Sequence, residues 1–147
     1  MNITSPAFTD NGLIPKKYSR EGGDVSPPLQ FNSVPSDAKS LALICHDPDA
    51  PRENGFTHWV VWNITPTVAR FDENAVPDGA VQGTADFGGP GWGGPKPPSG
   101  THRYIFYLYA LDTVLDLPVS TMRPQFQQAM QGHIVAEAVL TGLYSAE

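Results

Sequence analysis

Cysteine is almost missing from this chain: Cys45 is the single one among 147 residues. A lone cysteine excludes an intrachain disulfide and any zinc cluster built on thiolates. Its neighbours, Leu41-Ala42-Leu43-Ile44, mark it as a small core residue rather than a reactive thiol. Positive charge is scarce as well. Nine Lys and Arg face fifteen Asp and Glu, a formal net charge of −6, and no basic block breaks that balance. Binding a phosphodiester backbone needs clustered cations, so nucleic acid is not an expected partner. Apolar runs are short, none near the ~20 residues that span a bilayer. The start, Met1-Asn2-Ile3-Thr4-Ser5-Pro6, has neither the cationic nor the apolar part of a leader. A cytoplasmic protein without stable membrane insertion is expected.

Catalytic signatures are missing too. There is no Gly-x-Ser-x-Gly elbow and no phosphate-cradling Gly-Lys-Ser/Thr loop. The histidines lack His-x-His or His-x-x-x-His spacing. Asp47-Pro48-Asp49 has no further carboxylate cluster to complete the oxygen shell of a hard cation. Neither a metal nor a cofactor is expected, and no residue is assigned a catalytic role.

Glycine and proline are what the chain has in excess, fourteen and fifteen residues. Proline lacks the amide donor of a helix and glycine is costly in helix interiors, so long helices have little room. The length is close to the ~150 residues of one domain, and one domain over residues 1–147 is expected. Three segments read as strands. Ser40 to His46 is an almost continuous apolar run, short enough for a strand covered on both faces. His58-Trp59-Val60-Val61-Trp62-Asn63-Ile64 is β-branched and aromatic. From Arg103 to Leu111, Tyr104, Phe106, Leu108 and Ala110 line one face, and Ile105, Tyr107, Tyr109 and Leu111 the other. The late segment reads as helix: Ser120 or Thr121 as cap, Pro124 in the first turn, then Phe126, Ala129 and Met130 on one side. Gly132 ends or interrupts it, and a last short strand around Val139 to Tyr144 is an option. The fold class is all-β with minor α.

Two loops carry the candidate chemistry. In Asp47-Pro48-Asp49-Ala50-Pro51 three readings compete: a turn in which Asp accepts backbone amides, a cation pair, or Asp47 as the orienter of an imidazole. The second loop, Gly94-Pro95-Lys96-Pro97-Pro98-Ser99-Gly100-Thr101, is stiffened by proline. It delivers His102 and Tyr104 at i, i+2 onto one strand face. His58 and His102 both stand at loop-to-strand junctions and together suggest a small pocket. His46 points elsewhere because neighbouring strand residues alternate faces. His133 reads as a helix-end cation or a packing residue.

These residues resemble a known family. Asp47-Pro48-Asp49-Ala50-Pro51 with His58-Trp59, then Gly94-Pro95-x-Pro97-Pro98-x-Gly100-x-His102-Arg103-Tyr104, are similar to the two signature regions of phosphatidylethanolamine-binding proteins. Ser26-Pro27-Pro28-Leu29, Ala110-Leu111-Asp112 and Gly132-His133 support the likeness, which points to the compact prokaryotic, Raf kinase inhibitor-like branch. The resemblance implies a two-sheet β-sandwich with a C-terminal helix and a small anion pocket at one end. By position it implies Asp47, His58, His102 and Tyr104 as ligand-binding residues, with Asp49, Pro51, Gly94 and Pro95 shaping the wall. It also implies a cis bond at Ala50–Pro51. The chain departs from the family pattern at Ala85 and Lys96, both beside the pocket. The implied ligand is a small anion or phospholipid headgroup, bound without catalysis through imidazole N–H groups, the Tyr104 hydroxyl and a loop amide near Gly94. Regulation of a kinase or protease, or hydrolase-type chemistry in the same pocket, is the alternative. A homodimer is expected, with no protein partner identified.

Overall fold

Three apolar segments organise the molecule. Strand β4 (Ser40–Asp47) pairs on one side with β5 (Phe56–Ile64) and on the other with β8 (Thr101–Leu111), both antiparallel. The structure, a computed structural model, describes residues 1–146. These three strands are the middle of a six-stranded sheet in the order β2-β9-β8-β4-β5-β7, where β2 is Gly12–Leu13, β7 is Val81–Gln82 and β9 is Ile134–Ser145. A second sheet, β1-β3-β6, is formed by Asn2–Thr4, Leu29–Asn32 and Arg70–Phe71. The protein is mostly β, with two sheets and, among the described residues, one α-helix, α1 (Arg123–Met130).

Burial follows strand alternation. Leu41, Leu43 and Cys45 of β4 pack with Trp59, Val61, Phe106, Leu108 and the small sheet's Ile3, Leu29, Phe31 and Phe71. The intervening Ala42 and Ile44 turn to the other face, where Val60, Trp62, Tyr109 and Leu111 meet Phe126 and Met130 of α1. β4 therefore has no solvent face, the physical reason for its unbroken apolar run. The split anticipated for β8 also holds: Tyr104, Phe106, Leu108 and Ala110 join the inter-sheet core, and Tyr109 and Leu111 the layer under α1. Cys45 is fully buried in the first of these cores.

Three local expectations are corrected. The helix N-cap is Met122, not Ser120 or Thr121, and no side chain caps it. Thr121 is instead a backbone partner of the 83–101 loop, its carbonyl accepting Thr84 N–H at 3.0 Å. Second, the chain beyond Gly132 forms neither helix nor a short strand but the twelve-residue β9, paired with β8 from Leu111↔Ile134 to Thr101↔Ser145. Gly132 sits at φ +81°, which stops the helix. The long backbone ladder of β8 then outweighs the weak helical pattern of residues 134–140. Third, among the described residues there is no cis peptide, so Ala50–Pro51 is trans. Side-chain and backbone bonds close this turn instead: Asp49 N–H donates to Asp47 Oδ1 at 2.7 Å, and Arg52 N–H to the Ala50 carbonyl at 2.8 Å.

Candidate functional site

The end of β4, the start of β5 and the start of β8 meet at one end of the large sheet. Asp47 closes β4, and His102 is the second residue of β8. Both are buried, and His102 Nδ1–H donates to Asp47 Oδ2 at 2.6 Å. The second carboxylate oxygen of Asp47 accepts the Asp49 amide. A carboxylate only accepts, so the imidazole proton is fixed on Nδ1, and Nε2 is the ring atom left for a ligand. Of the three readings of Asp47, the imidazole orienter describes the geometry, combined with the turn.

His58 reaches the same place from β5 and is 5% exposed. Its Nδ1–H donates to the Gly93 carbonyl at 2.6 Å, and the Gly93 amide returns a 3.0 Å bond to the His58 carbonyl. The ring sits between Phe56 and Tyr104, with centroids 4.9 and 5.1 Å away. Burial pushes the His58 pKa down to about 4; the Gly93 carbonyl and Asp47 oppose that, and Arg20 adds to it. Before an anion binds, His58 is thus neutral at pH 7, with an unprotonated Nε2. Tyr104 is nearly inaccessible, and burial raises its phenol pKa, with the charge of Asp47 adding to the rise. Its hydroxyl stays a neutral donor and acceptor.

Around these groups lies a cavity of about 280 Å³. Of the eight residues named from the sequence, Asp47, Pro51, His58, Gly94, His102 and Tyr104 line it; Asp49 and Pro95 do not. The Asp49 carboxylate is bound by Arg103, through Nε at 3.0 Å, a terminal nitrogen at 2.9 Å and the backbone amide at 2.9 Å. That cation holds the Asp49 pKa down at about 2. Pro95 faces a neighbouring depression, and its carbonyl accepts the Arg20 amide at 3.0 Å. The Gly94 amide, expected to serve a ligand, donates to Asp24 Oδ1 at 2.7 Å. What Gly94 contributes is closeness: a Cβ there would collide with the Tyr18 carbonyl and the backbone of Ser19 and Arg20. Trp92 secures the same loop, donating to the Tyr18 carbonyl at 3.0 Å and stacking on Phe106.

Sequence reasoning placed Lys96 beside the pocket but missed two other cations there, Arg20 and Arg52. Arg20, Arg52 and Lys96 all line the cavity, a third of the chain's nine Lys and Arg. Arg52 directly follows the Asp-Pro-Asp-Ala-Pro segment, so it was within reach of a motif argument. Arg20 was not, because only the contact between residues 18–20 and Gly94 brings it there. Of the two departures from the family pattern, Lys96 faces the cavity, whereas Ala85 is buried in the 85–89 turn, off the lining. His46 does turn away: its Nδ1 is 2.9 Å from Thr57 Oγ1, which also accepts from Arg123. His133 bonds Asp112 at 2.8 Å, far along β9 from the cavity. Among the described residues no group of three His, Cys, Asp or Glu is arranged to hold a metal ion. No helix among them is long and apolar enough to cross a membrane.

A two-sheet fold of this kind defines a class. The family model described as phosphatidylethanolamine-binding protein matches residues 4–145, and the chain belongs to that family. Within it, the UPF0098 protein of Methanothermobacter thermautotrophicus is 52% identical over 149 residues, covering 98% of each chain. A crystal structure of a phosphatidylethanolamine-binding protein homologue from Chlamydia trachomatis superposes with a TM-score of 0.95 at 47% identity, over 99% of this chain and 97% of that one. Escherichia coli YbcL, described as a new member of the mammalian family of these proteins, superposes with a TM-score of 0.94 at 32% identity, over 99% and 98%.

Proposed function

We propose that the chain binds a small phosphate-bearing or other anionic ligand between His58 and His102, without turning it over. One observation carries this reading: two buried imidazoles, from different strands, line one cavity with Nδ1 of each already committed to the protein. Each ring therefore offers Nε2 inward in a fixed tautomer, with the Tyr104 hydroxyl as the third polar group. Three cations around the lining supply the positive potential that an acidic chain otherwise lacks. A phosphoryl oxygen that carries a proton donates to the neutral His58; a fully ionised one takes up a proton with it. Either way, one proton is held in the complex.

The test is calorimetric titration with inorganic phosphate of the native chain and of His58→Gln and His102→Gln. Charge-assisted hydrogen bonds are worth ~1.5–3 kcal/mol, so each substitution is expected to weaken binding at least about tenfold. No heat and no chemical-shift change in the native protein at millimolar phosphate would sink the proposal. Steady hydrolysis of a generic phosphoester that disappears in His102→Gln would replace binding with catalysis.

A further inference from the structure

Among the described residues the cavity's charged rim is positive, which sets it against a positive group on the ligand. A bound ammonium is held best by a carboxylate or an open aromatic face. Among the described residues Asp47 is the single acid in the lining, and each of its oxygens already accepts a hydrogen bond, one from His102 and one from the Asp49 amide. Phe56 lines the cavity, and the Arg52 guanidinium already covers its ring at 5.3 Å from the centroid. Phe87, beside the 88–95 loop, carries the guanidinium of Arg20 in the same way at 5.6 Å. Ala50, Pro51, Pro97 and Pro98 make the apolar part of the lining, and the Tyr104 ring packs against His58 with centroids 5.1 Å apart. Arg20, Arg52 and Lys96 are exposed at the rim. Lys96 lies 3.6 Å from Glu21, a long contact that leaves its charge only partly compensated.

Building on the phosphate-binding reading, we infer that the ligand is a phosphomonoester whose substituent is uncharged, and that Arg20, Arg52 and Lys96 set this preference against zwitterionic phosphoethanolamine. The phosphoryl group sits at the imidazoles and the substituent lies along the proline wall. An ammonium at the substituent's end meets the like charges of the Arg20 and Arg52 guanidinium groups and the Lys96 ammonium. The chemistry is the same for a soluble monoester and for a phosphatidic-acid headgroup.

Propyl phosphate and phosphoethanolamine are near-isosteres that differ by methyl against ammonium, and their affinities are compared by calorimetry at low salt. Exposed pairs contribute ~0.2–1 kcal/mol each, so three cations are expected to favour propyl phosphate about tenfold. Arg20→Gln/Arg52→Gln/Lys96→Gln, all surface changes, is expected to bring the ratio to about one and to leave the circular-dichroism melt unchanged. Lys96→Gln alone is expected to give an intermediate ratio. Added salt is expected to shrink the preference in the native chain. Equal binding, or tighter binding of phosphoethanolamine, overturns the inference while leaving the phosphate site standing. Failure of inorganic phosphate itself to bind overturns the underlying reading instead. Phosphatidylcholine vesicles doped with phosphatidic acid or with phosphatidylethanolamine separate the sources. Retention on the phosphatidic-acid vesicles alone supports a lipid headgroup, and retention on neither, with propyl phosphate still bound, supports a soluble ester. Preferential retention on phosphatidylethanolamine overturns the inference.

Discussion

His102 and Asp47 are fifty-five residues apart in the chain and 2.6 Å apart in the fold, a buried donor and a buried carboxylate in direct contact. The pair joins the end of β4 to the start of β8 and anchors the 48–55 turn through the Asp49 amide. Replacing Asp47 by Ala leaves the buried His102 Nδ1–H and the part-buried Asp49 amide without their acceptor. An unsatisfied buried group costs ~1–3 kcal/mol, so urea melts are expected to lose about 1–3 kcal/mol. Phosphate binding is expected to fall with stability. A variant as stable as the native protein contradicts the contact.

His58 gives a pH signature with a definite sign. Its folded pKa, about 4, lies below the ordinary value of 6.5 because burial disfavours the charged ring. Between those values the unfolded chain binds more protons than the folded one. Stability is therefore complete above 6.5 and is lost as pH falls toward 4. At ~1.4 kcal/mol per unit the loss is about 2–3 kcal/mol, read from denaturant midpoints and absent in His58→Gln. An NMR titration of the ring without ligand is expected to find a midpoint near 4. Saturating phosphate is expected to move that midpoint upward, and phosphate affinity to fall by up to about tenfold per unit as pH rises above the second ionisation of phosphate. A flat affinity profile denies the shared proton.

Arg103 and Asp49 form the opposite kind of pair, exposed and bidentate. Solvent-exposed pairs contribute ~0–1 kcal/mol. Arg103→Ala is expected to leave the urea midpoint nearly unchanged and phosphate affinity unchanged. A tenfold loss of affinity would bring Asp49 back into the binding shell.

Gly132 isolates a backbone effect. It holds φ +81°, yet a Cβ built there meets nothing within 4 Å. Gly132→Ala is expected to cost about 1–2 kcal/mol through the left-handed conformation alone, measured by thermal or urea melts. An unchanged midpoint indicates that the turn before β9 relaxes at no penalty.

The three central strands were legible from composition because each needs apolar side chains on both faces: the inter-sheet core on one side, the α1 layer on the other. The stiff loops and the histidines at their strand junctions were legible for a related reason, since Pro and Gly declare backbone constraints locally. β9 was not. Residues 134–145 become a strand because β8 offers them a ladder, and that partner's value cannot be read within their own window. The cavity shows the same division. The amino-acid order by itself determined which residue types could bind an anion and that the wall would be rigid. Only the tertiary structure decided that the Gly94 amide belongs to Asp24, that the Asp49 carboxylate belongs to Arg103, and that Arg20 stands at the rim. Hydrogen-bond partners and packed neighbours are chosen in space, and a side chain's chemistry leaves open which of several reachable groups it meets.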